Sequence, residues 1–196
     1  MSTDNRKKTY IDKAINVFKQ EGLRLSLEEV AGKMGITKKT LYNNFTSKEE
    51  LVKACILSIS SDMQEAMSGL DDPAHSAIEN LRTGFVKLNH FFYALSPIFF
   101  YDIMRMSPNE ATAEHLVGSG LFQAKMEANL RKGISEGIYM HSINVEYLSS
   151  YISYSVFGFY INSIIKRNPY LPKSHFEDAV EYHLRAIVSE RGRELL

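Results

Sequence analysis

The stretch from Ser26 to Leu51, SLEEVAGKMGITKKTLYNNFTSKEEL, reads as two short helices joined by a tight turn, with a third helix following at once. Ser26 and Glu29 stand at the spacing of a capping box, which opens a helix. Val30, Ala31 and Met34 give that helix an apolar face. Gly35 suits the left-handed conformation that ends it, and Ile36 fills the turn. Thr37 caps the next helix, whose buried side is Leu41 and Phe45. Its other side carries Lys38, Lys39, Thr40, Tyr42, Asn43 and Asn44, and no acid. Donors suited to phosphates and base edges thus share one short helix, as a helix seated in the major groove requires. Ser47 and Glu50 form a second capping box, opening a long helix directly after Phe45. A plain surface hairpin is the alternative, and the spacing of Ala31, Gly35 and Leu41 favours the helix-turn-helix.

The pattern extends upstream through Ile11, Ala14 and Phe18, then Leu27, Val30 and Ala31. It continues through Gly35-Ile36-Thr37, Thr40-Leu41-Tyr42, Phe45 and Ser47-Lys48-Glu49-Glu50-Leu51. Over about the first quarter of the chain, these residues resemble the DNA-binding domain of the tetracycline-repressor (TetR) family of bacterial transcription regulators. Asn43 and Asn44 depart from the aromatic or His that such proteins often carry before the Phe. Asn still donates to phosphate or pairs with adenine. The resemblance implies an all-α chain, with a helix-turn-helix DNA-binding domain over 1–50 and a larger helical effector-binding and dimerisation domain over 51–196. It also implies a homodimer on a palindromic double-stranded DNA operator, released by a small-molecule effector of unknown identity. The expected DNA-contact set is Ser26, Thr37, Lys38, Lys39, Thr40, Tyr42, Asn43, Asn44 and Lys48.

Charge is distributed to match. The 196 residues have a net charge of zero. Residues 1–53 nevertheless hold 11 Lys and Arg against 7 Asp and Glu, while the remainder holds 12 against 16. The N-terminal quarter is the electropositive end, as phosphate binding requires. Arg6, Lys7 and Lys8 suit either a basic arm or a solvated helix start. One cysteine, Cys55, excludes an intramolecular disulfide framework and suits a reducing cytoplasm. It falls on an apolar helix side with Leu51 and Ile59, as a small buried hydrophobe does. No signal-peptide pattern opens the sequence, and a cytoplasmic protein is expected. Residues 147–165 lack charge, but their serines and Asn162 are too polar for a lone lipid-facing span.

The rest of the chain reads as helices. The first runs from about Thr3 to Glu21 and stops at Gly22, and the fourth continues from Ser47 to about Ser68. Asp72-Pro73, Ser96-Pro97 and Ser107-Pro108, the last with Glu110, pair a capping side chain with proline at a helix start. Another helix begins near Gly120 and ends between Gly133 and Gly137. Asn144 caps a long segment to Arg167, broken by Asn168-Pro169 and Pro172. Ser174 with Glu177 opens a last helix to about Arg191.

The second domain is rich in Phe, Tyr and Met. For most of these the plain role is core. The set exceeds what a thin helical stripe needs, so an enclosed pocket is expected at Phe85, Asn89, Phe92, Met104, Phe122, Met126, Tyr151 and Tyr154. The 145–167 helix is apolar on nearly every side, so one face packs at home and another needs a partner. Ile152, Ser155, Gly158 and Phe159 are the expected dimer residues, a two-fold pair being the commonest oligomer. No catalytic constellation, cofactor motif or metal spacing appears among the six histidines and the carboxylates. Two readings remain: a ligand-released repressor, or a DNA-binding protein whose C-terminal domain binds a protein and has no pocket.

Overall fold

A computed structural model of the chain describes residues 3–95, 99, 102, 119–165 and 174–196. They form helices α1 (Thr3–Glu21), α2 (Leu27–Lys33), α3 (Lys38–Tyr42), α4 (Lys48–Met67), α5 (Ala77–Ala94), α6 (Ser119–Ser135), α7 (Val145–Ile165), α8 (His175–Ile187) and α9 (Glu190–Arg193). A 3₁₀ turn, Ser68–Asp71, follows α4. Among the described residues there is no strand beyond an isolated antiparallel bridge between Tyr139 and Val188. The chain is all-α.

The chain divides into two compact units, Met1–Ser61 with Leu95–Leu116, and Asp62–Ala94 with Val117–Leu196. The first therefore reaches past the expected boundary at residue 50, because α4 buries Leu51, Val52, Cys55 and Ile59. A later segment joins it. Phe99 stacks on Phe18 with ring centroids 6.2 Å apart, and the Asp102 carboxylate accepts the Leu23 amide at 2.7 Å. The core of this unit, from Ala14 and Phe18 through Leu27, Val30 and Leu41 to Phe45, is almost completely buried.

The second unit is held by a buried polar clasp as well as by apolar packing. Asn129 donates to the carbonyls of Leu70 and Ala77 at 3.0 and 2.9 Å. The Tyr139 hydroxyl donates to Asn129 Oδ1 at 3.2 Å. Three elements, the 3₁₀ turn, α5 and the turn after α6, are thereby tied to one side chain. Gly133 faces the Tyr139 ring so closely that a Cβ there would overlap it. The C-terminal end closes over the same turn: Ser189 donates its amide to Ile138 O at 3.0 Å, and Met140 donates to Ile187 O at 3.0 Å. Arg82 on α5 grips Glu181 on α8 through two nitrogens, at 2.7 and 3.1 Å. No buried side-chain nitrogen or oxygen among the described residues lacks a hydrogen-bond partner.

Helix starts differ in places from the sequence expectation. The fifth begins at Ala77 instead of Pro73, because Ser76 and Glu79 form the capping box. Asp72 instead closes a turn, its Oδ1 accepting the Ala74 amide at 2.9 Å. Ser47 Oγ accepts the Glu50 amide, but the Glu50 carboxylate reaches back to Thr46 instead of Ser47. Asn144 caps α7 as expected, its Oδ1 accepting the Tyr147 amide. The last helix stops at Ile187, and α9 restarts under a Ser189 cap. The starts assigned to Ser96-Pro97 and Ser107-Pro108, and the break at Asn168-Pro169 and Pro172, lie outside the described residues.

Candidate nucleic-acid interface

The reading helix is set by its neighbours on both sides. The Ser26–Glu29 capping box is complete, with the Ser26 amide donating to Glu29 at 2.7 Å and the Glu29 amide to Ser26 Oγ at 3.3 Å. The Ser26 amide first, and then the Ser26 hydroxyl donating at 2.8 Å, hold the Glu29 carboxyl below the ordinary carboxylate range. Gly35 has φ of 69°, a conformation that costs glycine nothing. The turn it makes lets the Ile36 amide return to Ala31 O at 3.1 Å, which fixes the departure of α3. Thr37 then caps α3, accepting the Thr40 amide at 3.1 Å, and Leu41 and Phe45 anchor the underside.

This arrangement sorts the expected DNA contacts. Ser26 and Thr37 are occupied as caps, and Thr40 Oγ1 pairs with Thr37 Oγ1 at 2.8 Å. Asn44 turns back to donate to Thr40 O at 2.8 Å. Lys39 and Asn43 are exposed, and Lys48 at the start of α4 acts only through its charge on the neighbouring Glu49 carboxylate among the described residues. Tyr42 presents an exposed ring. Lys38 is different. Its ammonium is ion-paired with Glu28 on α2 and lies 5.5 Å from the Tyr42 ring centroid. The pair pushes the Lys38 ammonium up and holds the Glu28 carboxyl down from their ordinary values. Lys7 is likewise engaged, with Glu50 at 3.3 Å and above the Phe45 ring, whereas Arg6 and Lys8 are exposed. Sequence reasoning looked for acids on α3 alone and so missed Glu28, whose approach depends on how the turn folds α2 against α3.

In the second unit, Phe85, Phe92, Phe122 and Met126 are all but fully buried. Phe122 meets Phe85 at 5.9 Å and Phe157 at 4.7 Å. Phe92 stacks on Phe176 at 5.0 Å and touches the ring of Tyr160 at 4.7 Å. Asn89 is buried beside them and donates to Glu177 at 3.0 Å. Met104 lies outside the described residues. Tyr151 and Tyr154 do not join this cluster; they are 51% and 79% exposed. Ile152 is the converse, a fully buried residue instead of a dimer contact. The cause is that the small residues Ser149 and Ser153 face inward and let α7 pack closely on its own unit. The outer face then carries Tyr147, Tyr151, Tyr154, Gly158 and Phe159, with Ser155 at its margin and Tyr182 of α8 also exposed.

The first unit is a helix-turn-helix with its reading helix open on one face. Residues 11–55 match the family model described as bacterial regulatory proteins, tetR family. No curated protein sequence matches it. Among solved structures, it is similar to the ketosteroid transcriptional regulator KstR2 of Mycobacterium tuberculosis, with 18% identity and a TM-score of 0.66 over 96% of this chain and 98% of that one. A transcriptional regulator from Cytophaga hutchinsonii shares 17% identity with a TM-score of 0.71, over 93% and 98%. SmeT, the repressor of the Stenotrophomonas maltophilia multidrug efflux pump SmeDEF, shares 15% with a TM-score of 0.62, over 94% and 91%. These likenesses extend the shared fold through the C-terminal unit. Among the described residues, no helix is long and apolar enough to cross a membrane.

Proposed function

We propose that the protein is a cytoplasmic homodimeric repressor that binds a palindromic operator through α3 and leaves it when a small apolar or amphipathic molecule enters the C-terminal unit. The observation that carries the DNA contact is the open face of α3. Lys39, Tyr42 and Asn43 are exposed there, and Lys48 follows at the start of α4. On this reading Lys39 and Asn43 read bases, and Tyr42 and Lys48 contact phosphates. Ser26 and Thr37 hold the helices in register as caps, while the Thr37–Thr40 hydroxyl pair and the Asn44 amide each keep one hydrogen for phosphate. The functional parts are the helix-turn-helix of residues 1–50 and the effector and dimer part of 51–196.

Dimerisation falls to the outer face of α7 with Tyr182 of α8. Large apolar rings standing at 51–79% exposure are the surface that a second copy covers. The effector site is assigned to the aromatic cluster of Phe85, Phe92, Phe122 and Met126, where Asn89 supplies a polar anchor. The fold is shared with a ketosteroid transcriptional regulator and with the repressor of a multidrug efflux pump, which favours a compound of apolar class. A hundred-fold release needs about 2.7 kcal/mol of coupling between the two sites.

Selection from a random duplex pool tests the reading, followed by gel-shift titration of variants. Lys39→Ala should weaken the selected operator by about 1–3 kcal/mol and relax one base position. Lys48→Ala should weaken all duplexes alike and flatten the salt slope by about 0.9. Equal affinities for all three proteins would refute the assignment. Release of the operator by steroid-like or amphipathic compounds, abolished by Met126→Trp, tests the effector half.

A further inference from the structure

Within the helix-turn-helix, Glu28 is an acid standing among groups that are otherwise suited to phosphate. It lies in the first turn of α2, ion-paired with Lys38 at the start of α3, and the Tyr42 hydroxyl comes within 3.5 Å of the same Oε1. Lys38 in turn hangs over the Tyr42 ring. Two of the groups nominally offered to the backbone are thus turned toward a carboxylate of their own unit. Lys39, the adjacent residue, has no such partner among the described residues. The pair is open to solvent on both sides, with side chains 61% and 46% exposed. Exposed pairs of this kind contribute little to folding. Its consequence is therefore electrostatic, at the surface where DNA arrives.

Resting on the DNA-binding reading above, we infer that Glu28 is a specificity-determining residue that withholds Lys38 from non-cognate DNA. Binding to an arbitrary duplex is driven by counterion release, and each Lys that neutralises a phosphate adds about 0.9 to the slope of log affinity on log salt. While Lys38 stays with Glu28 it adds nothing, and the carboxylate repels the phosphates near it. At the operator, base contacts by α3 bring the backbone close, and Lys38 exchanges Glu28 for a phosphate. The exchange is repaid only where the bases match. Glu28 thus lowers affinity everywhere but lowers it most where the sequence is wrong.

The test compares the unmutated protein, Glu28→Gln, and Glu28→Gln with Lys38→Met. Each is titrated against a mixed-sequence duplex and against the operator selected by the unmutated protein, between 50 and 200 mM salt. Glu28→Gln should bind the mixed duplex several-fold tighter at low salt. Its slope there should steepen by about 0.9, which is a further loss of about 3.5-fold across that salt range. Its slope on the operator should stay unchanged, so the ratio of operator to mixed-duplex affinity falls. The double variant should lose the added slope, because the charge released is that of Lys38. An unchanged slope on mixed duplex, or weaker binding of both duplexes, overturns the inference while leaving the DNA-binding reading intact. Failure of the unmutated protein to bind any duplex overturns that reading and this inference together.

Discussion

Replacing Asn129 with Ala tests whether the second unit is held by its polar clasp. The side chain is fully buried and makes three hydrogen bonds, donating to Leu70 O and Ala77 O and accepting from Tyr139. Alanine leaves two carbonyls and one hydroxyl behind in a buried site. An abandoned buried group costs about 1–3 kcal/mol, so even at the low end the three come to about 3 kcal/mol, and 3–5 kcal/mol is the expected loss. That is a large share of the roughly 5–15 kcal/mol that holds a domain together. For a chain of this length the melting temperature should fall by roughly 6–20 °C. Tyr139→Phe abandons only Asn129 Oδ1 and should cost about 1–2 kcal/mol. The double variant should lose less than the sum, since both changes remove the same bond. The assay is thermal and urea unfolding followed by circular dichroism at one protein concentration, because a dimer's stability depends on it. A melting temperature for Asn129→Ala within about 2 °C of the unmutated protein would refute the reasoning.

Gly158→Leu should weaken self-association at least ten-fold in sedimentation, a loss of about 1.4 kcal/mol. A Cβ at Gly158 meets nothing within 4 Å of its own chain, so any harm comes from a neighbour's surface; an unchanged dimer constant would remove this face from the interface. Cys55 is buried and burial pushes its thiol up to about 12, so the folded protein should resist iodoacetamide at pH 8 while the urea-unfolded chain reacts. Rapid stoichiometric labelling of the folded form would contradict its burial. Acid should strip three caps together. Glu29, Glu50 and Glu79 are all held below 4.5, chiefly by the backbone amides of Ser26, Thr46 and Ser76. A depressed folded value means stability that is present above pH 4.5 and lost as pH falls through the folded values. Melting temperature should therefore drop steadily below pH 4.5, and Glu79→Gln should make that drop shallower.

What the sequence reveals well is whatever local chemistry decides. Ser26 with Glu29, Gly35 with Ile36, and Thr37 with Thr40 each work within five positions along the chain, so spacing alone carries them into structure. The same locality explains the near misses. Asp72 and Ser76 both offer a cap ahead of α5, and spacing cannot say which one closes a turn and which opens the helix. Long-range partners are illegible for a different reason. Glu28 finds Lys38 ten positions on because a turn folds one helix across the next, and no periodicity encodes that approach. On α7 the pattern itself is degenerate. With apolar residues all round, the natural guess buries the rings and leaves the small residues for a partner. Instead, Ser149 and Ser153 go inward with Ile152, and Tyr147, Tyr151 and Tyr154 go out. Serine is tolerated there because its hydroxyl bonds back to its own helix, as Ser149 does to Glu146 O at 3.0 Å. A small inward residue allows close packing on α6, and the displaced bulk then becomes exposed aromatic surface. Packing within the unit thus decides which face remains to meet a second copy, and that choice turns on fit at α6 rather than on hydrophobicity along α7.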